Sequence, residues 1–208
     1  KMNEEQLRNF RRSKTAMVFQ RFALLPHKTI LQNTIFGLHI QNIAEEEAKK
    51  SALRWIERVG LSGYEDKYPQ HLSGGMQQRV GLARALTNDG DILLMDEAFS
   101  ALDPLIRKDM QDILLELQDE LHKTVVFITH DLDEALKLGD RIAILKDGVM
   151  DQEGIPAEIL LKPQTQYVKD FVEDVNRARV IKAKHIMSDH NGQDLNGEMS
   201  VNHDEFID

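Results

Sequence analysis

The chain has 208 residues and a formal net charge of −9, which argues against a free-standing nucleic-acid binder, where a basic surface is expected. A content of 41% hydrophobic and 29% charged residues is that of a globular protein, and the length suffices for one full domain plus part of another. The absence of cysteine excludes a disulfide framework, thiol catalysis and cysteine-based zinc sites and fits a reducing compartment, and no apolar run approaches the ~18 residues of a membrane-spanning helix.

The start, Lys1-Met2-Asn3-Glu4-Glu5, lacks the apolar core of a signal peptide and has no initiating Met, so an excised or truncated piece is expected. Asn3 is placed to cap a short polar helix to Arg12. Lys14 to Phe19 predicts a strand closed by Gln20, Phe22 to Pro26 an irregular apolar link, and Ile30 to Ile40 a helix. A long helix is expected from Ala44 to Val59, with Ala48, Ala52, Ile56 and Val59 on one face. Gly60 and Gly63 end it, and Tyr64 to His71 reads as a loop. Ser73 opens a helix to about Leu86, stopped by Asn88-Asp89-Gly90.

Asp91 to Asp96 and Thr124 to Thr129 are unbroken apolar runs, so both are expected to be buried strands of a parallel sheet covered on both faces. Between them Pro104 sits in the first turn of a helix striped by Leu105, Ile113, Leu114, Leu117 and Leu121. A helix from Asp131 to Leu138 precedes a third strand, Arg141 to Lys146. Asp147-Gly148 is a tight turn into Val149 to Gln152. Two small helices, Pro156 to Leu161 and Gln164 to Glu173, follow. This alternation predicts an α/β fold with a mainly parallel sheet, helices on both faces and an inserted helical subdomain over about 22–88. Residues 176–208, acidic near the end, read as a linker, a cut domain start or a disordered tail.

Two stretches carry chemistry. Leu72-Ser73-Gly74-Gly75-Met76-Gln77-Gln78-Arg79 is a Ser-Gly-Gly turn opening a helix, a compact cradle of backbone N–H groups for an anion. Ile92-Leu93-Leu94-Met95-Asp96-Glu97 is an apolar strand ending in two adjacent carboxylates at a sheet edge. Together they point to a nucleoside triphosphate. Asp96 is placed to hold Mg²⁺ through water, because Mg²⁺ dehydrates reluctantly. Glu97, set at another angle, is placed to polarise the attacking water. The competing reading makes one of the two an ordinary surface carboxylate. His130, ending a strand before Asp131, is a candidate γ-phosphate contact; the alternative is a capping or loop histidine. The other seven histidines show no metal-ligand spacing. Nowhere in the 208 residues is there a G-x-x-x-x-G-K-[ST] phosphate loop.

These motifs, in this order, resemble the ATP-binding subunit of ABC transporters, over roughly residues 10–175. Val18-Phe19-Gln20 is similar to the Q-loop, Leu72 to Gln77 to the signature motif, and Ile92 to Glu97 to the Walker B strand. Ser100-Ala101-Leu102-Asp103 matches the D-loop and Thr129-His130-Asp131 the switch histidine. The resemblance implies an ABC-type P-loop NTPase fold whose phosphate loop lies upstream of Lys1. It implies ATP and Mg²⁺ as ligands, with Gln20 near the metal and coupling nucleotide state to a membrane subunit. Ser73, Gly74 and Gly75 would bind the γ-phosphate held by the opposite subunit of a head-to-tail dimer, with Gln77 and Asp103 also at the nucleotide. Met76 departs from the family, which most often has glutamine there, so only the backbone cradle carries over at that position.

The segment behind Gln20 would form the docking surface for transmembrane permease subunits; Phe22, Leu24 and Leu25 serve either that surface or the core. The run Gly154 to Val172 and then Ile181 to Met187 resembles the glycine betaine/proline (osmoprotectant) importers. In that subgroup CBS modules follow the ATPase, and Ala183 to Met187 would begin the first. The implied whole is a peripheral subunit on the cytoplasmic face of the membrane, working with permeases and indirectly a solute-binding protein. The alternatives are a soluble ABC ATPase of translation or DNA repair and a non-catalytic dimerisation or regulatory fragment. The chain without the phosphate loop is expected to leave the Thr124 to Thr129 strand with an open edge and to be inactive alone.

Overall fold

The computed structural model describes residues 2–20, 22–121 and 123–173. The linker, module start and acidic tail expected beyond residue 175 lie outside these. The chain forms two compact units, Lys1–His130 and Asp131–Asp208.

The first unit opens with α1 (Glu4–Ser13), where Asn3 and Gln6 cap each other reciprocally; Glu4 and Glu5 occupy the first turn and Arg11 and Arg12 the last, each favourable to the helix dipole. β1 (Thr15–Val18) follows, then α2 (Ile30–Thr34), α3 (Phe36–Ile40), α4 (Glu45–Arg58) and a 3₁₀ turn at Pro69–His71. α5 (Gly74–Thr87), β2 (Ile92–Asp96), α6 (Pro104–Leu121) and β3 (Thr124–Ile128) complete it.

β2 lies between β1 and β3, all parallel, with Val18 opposite Met95 and Asp96 opposite Ile128. The chain enters β2 through Gly90, where a Cβ would sit 3.0 Å from the Lys14 and Thr15 backbone, so only glycine allows this approach. Beside it Lys14 Nζ donates to Asp91 Oδ2 at 2.8 Å. That hydrogen bond, with the attraction between the charges, raises the Lys14 pKa and lowers that of Asp91. α4 and α2 pack on α5, with Ile35, Leu38, Ala48 and Ala52 forming an apolar cluster.

Three expectations need correction. The helix expected over 30–40 is two short helices meeting at Ile35. Thr34 Oγ1 bonds back to the Ile30 carbonyl, a contact that bends helices, and Gly37 is pressed so close to Asn88 that a Cβ would meet its Oδ1 at 2.5 Å. The two strands are not covered on both faces. Leu93 and Met95 of β2 are buried while Ile92 and Leu94 are half-buried, and in β3 Val126 and Ile128 are 47% and 56% exposed. β3 is an edge strand, as is β1, each pairing with β2 alone among the described residues. Leu105 does not join the stripe of α6, being 71% exposed. At 100° per residue it lies about 140° around the helix from Met110, which is buried with Leu114 and Leu117.

In the second unit α7 (Leu132–Leu138) is capped by Asp131. β4 (Ile142–Lys146) and β5 (Val149–Gly154) form an antiparallel hairpin, followed by α8 (Pro156–Leu161) and α9 (Gln166–Phe171). Asp147 and Gly148 turn the hairpin at φ 51° and 78°, the primed turn whose twist matches the strands. Leu136, Ile142, Ile144, Ile159 and Val168 share its core.

Candidate functional site

Three parallel strands end at one edge of the sheet, so Gln20, Asp96, Glu97 and His130 leave β1, β2 and β3 at the same level. Gln20 Nε2 donates to Glu97 Oε2 at 3.0 Å and to Ser100 Oγ at 3.2 Å. Ser100 Oγ donates in turn to the Glu97 carbonyl at 2.9 Å. His130 Nδ1 lies 3.4 Å from Glu97 Oε1, so the carboxylate is held between an amide and an imidazole. Glu97 N donates to the Ile128 carbonyl at 2.9 Å, which prolongs the ladder by one residue and fixes where its side chain emerges. Its φ of 43° is left-handed, an uncommon state for a long acid.

Asp96 is exposed, and no protein group among the described residues engages its carboxylate. Among those residues no three of His, Cys, Asp and Glu gather as a metal cage. That donor set fits Mg²⁺, which keeps several waters and takes one or two carboxylates plus substrate phosphates, and it does not fit a metal that needs an all-protein cage.

The second group of residues sits at the head of α5. Ser73 is the N-cap, its Oγ accepting from Met76 N at 3.3 Å. Gly74 and Gly75 form the first turn, where free N–H groups and the helix dipole favour an anion. Gln77 Nε2 donates to the Leu72 carbonyl at 3.2 Å, so its side chain braces the chain entering this turn. Asp103 Oδ1 accepts from Leu105 N and Ile106 N, both at 3.2 Å, and caps α6. No hydrogen bond or ion pair among the described residues joins Ser73, Gly74, Gly75 or Gln77 to the Gln20–Glu97–His130 cluster.

Gly75 is required by packing: a Cβ there would lie 2.5 Å from Ile106 Cγ2. Ile106 is β-branched and cannot swing this methyl away cheaply. Gly75→Ala in the full-length subunit is expected to lower unfolding stability by about 1–3 kcal/mol, with part recovered by adding Ile106→Ala. Urea unfolding of the single and double variants checks this; a Gly75→Ala midpoint equal to wild type contradicts the packing argument.

Sequence reasoning missed two participants. Ser100 belongs to a recognised motif, but its contact with Gln20 depends on a turn the sequence does not specify. Arg84, in the third turn of α5, donates from Nη1 to the Ala23 carbonyl at 2.7 Å and from Nη2 to the Phe22 carbonyl at 3.0 Å. Burial lowers its pKa, which is the mark of a desolvated guanidinium.

A family model described as ABC transporter matches residues 1–100. The glycine betaine transport ATP-binding protein OpuAA of Bacillus subtilis (strain 168) is 62% identical over 186 residues, 89% of this chain and 44% of that protein. The glycine betaine/proline betaine transport system ATP-binding protein ProV of Escherichia coli (strain K12) is 55% identical over 89% of this chain and 46% of that protein. The chain thus spans less than half the length of these two relatives. Among solved structures, the post-hydrolysis dimer of the ATP-binding cassette MJ0796 bound to ADP and Pi is 37% identical, with a TM-score of 0.66 over 74% of this chain and 68% of that one.

Proposed function

The chain belongs to the ATP-binding cassette family of ABC transporters, and from that premise we propose that the full-length protein is the ATP-hydrolysing subunit of an importer for a compatible solute such as glycine betaine or proline. The observation that carries this reading is the Glu97 carboxylate, held between Gln20 and His130 beside the unengaged Asp96. Glu97 accepts a proton from the water that attacks the γ-phosphorus, as the bond from that phosphorus to its bridging oxygen breaks. Gln20 orients Glu97, and His130 donates to a γ-phosphate oxygen. Asp96, at the end of β2, would hold Mg²⁺. When bound, Mg²⁺ draws charge from the phosphate oxygens.

Ser73, Gly74 and Gly75 serve the nucleotide of a second subunit in a head-to-tail dimer, and Asp103 and Gln77 keep the ends of α6 and α5 in place for it. The dimeric form of the MJ0796 cassette supports this arrangement. Beside Gln20, a groove of about 230 Å³ lined by Met17, Phe19, Ala23, Phe36 and Arg84 supports docking of a permease subunit there. Phe19 and Phe36 expose apolar surface along it, and Phe22, Leu24 and Leu25 are half-buried. Residues 1–175 are assigned to the cassette, with the helical subdomain over 22–88, and 176–208 to a linker and the start of a CBS module. No helix among the described residues is long and apolar enough to cross a membrane, and the proposed place is peripheral, on the cytoplasmic face.

Solute identity rests on the relatives, several of which are named for glycine betaine transport. The test is reconstitution of the full-length subunit with its permease partners in vesicles, with ATP on the subunit's side and labelled glycine betaine or proline opposite. ATP-dependent uptake of either is the expected result. ATP hydrolysis with uptake of neither solute overturns the solute class, and absence of hydrolysis overturns the enzymatic reading.

A further inference from the structure

Two residues beyond the Q-loop residue Gln20 the backbone does something unfavourable. Phe22 and Ala23, neither a glycine, stand at φ 34° and 47°. Two successive side-chain-bearing residues in the left-handed region persist only where the surroundings over-determine them. Here the determinant is Arg84, whose two terminal nitrogens reach the carbonyls of those two residues, at 3.0 Å for Phe22 and 2.7 Å for Ala23. A planar fork matches two successive carbonyls in a way that a single ammonium cannot. Phe22 also lies along α5: its ring Cζ is 3.6 Å from where a Cβ of Gly74 would stand, and its carbonyl oxygen 3.7 Å from that of Gly81.

We propose that Arg84 is a positioning residue that clamps the Phe22–Ala23 turn onto the signature helix, so that Gln20 and the Ser73–Gly75 turn shift as one body. One end of this strap is the Gln20 amide on Glu97 and Ser100. The other is the Phe22 ring against Gly74. A displacement of Gln20 when phosphate arrives or leaves therefore has a route, through the Phe22–Ala23 turn fixed on α5, to the turn that serves the partner's nucleotide. Without the clamp the turn relaxes toward negative φ, and Gln20 loses its registration on Glu97. Arg84 touches neither substrate nor reacting atoms, so it acts through the geometry of the turn.

This proposal rests on the ATPase reading above, and wild-type hydrolysis by the full-length subunit separates the two: no wild-type activity defeats that reading, whereas the clamp is judged on variants of an active enzyme. Arg84→Met is expected to lower kcat for ATP about tenfold or more while changing KM less than about threefold. Adding Ala23→Gly, which accepts positive φ freely, is expected to restore at least about a third of the lost kcat, because glycine holds the turn without the fork. Amide exchange over 22–25 should quicken in Arg84→Met. Should that variant melt below assay temperature, Arg84→Lys, which keeps the cation but not the fork, carries the same expectations. A folded Arg84 variant with wild-type kcat overturns the proposal, as does a double variant with no recovery.

Discussion

Glu97→Gln in the full-length subunit should lower kcat for ATP hydrolysis by about 10²–10⁴-fold while leaving nucleotide affinity within a few-fold of wild type. The amide is isosteric with the carboxylate and can still accept the Gln20 N–H that now reaches Oε2 at 3.0 Å, so the cluster keeps its shape. What is lost is the proton acceptor and the anion beside His130. Asp96→Asn should behave differently. Its carboxylate is engaged by no protein group among the described residues, so the change leaves the fold alone and removes charge from the metal side. Its loss is expected mainly as weaker Mg²⁺-dependent nucleotide binding. Phosphate release under single-turnover conditions, read with nucleotide binding at several Mg²⁺ concentrations, distinguishes them. A Glu97→Gln enzyme within about threefold of the wild-type rate would remove Glu97 from its assigned role.

What the sequence made legible, and what it hid, divides along the range of the forces involved. Asn3 and Ser73 are caps because a side chain reaches a backbone N–H three residues on, and that chemistry is written locally. Asp147-Gly148 is read as a turn for the same reason. Glu97 and His130 stand out because each follows the end of an apolar run, and parallel pairing sends such ends to one edge, whereas Gln20 is marked by the family resemblance alone. The left-handed turn at Phe22 and Ala23 has no local mark; the guanidinium that holds it is 61 positions from Ala23. Val126 and Ile128 misled because an apolar run records what a strand can bury, not what stands over it. Leu105 misled because an apolar residue in a helix's first turn need not point with those that follow. The break at Ile35 came from Thr34 and Gly37, whose contacts with Ile30 and Asn88 only the fold brings about.

Asn33 is the largest stability effect expected outside the site, and its importance is equally invisible in the sequence. It is fully buried, and its amide is saturated. Oδ1 accepts from Leu25 N at 2.7 Å, while Nδ2 faces the carbonyls of Leu25, Lys28 and Thr29 at 3.1, 3.0 and 2.9 Å. One side chain thus ties down the loop that continues from the Phe22–Ala23 turn. Asn33→Ala leaves the buried Leu25 N–H and the Lys28 carbonyl without partners, while the Leu25 and Thr29 carbonyls keep the backbone N–H groups of Lys28 and Asn33. At about 1–3 kcal/mol for each orphaned group where water cannot enter, a total of roughly 2–4 kcal/mol is expected. Asn33→Asp is worse at neutral pH, since a carboxylate offers no donor and meets three carbonyl oxygens. Those oxygens and the burial raise the folded-state pKa of the new acid above its unfolded value near 4. The folded state then binds more protons than the unfolded one, so stability falls as pH rises through that range and partly returns on acidification. Urea unfolding of both full-length variants between about pH 4.5 and 7.5 is the measurement, a window in which ordinary carboxylates stay ionised. An Ala variant within about 0.5 kcal/mol of wild type would show the loop to be held by its apolar contacts instead. An Asp variant whose deficit ignores pH would show that water reaches the amide, which the geometry of four converging backbone groups opposes.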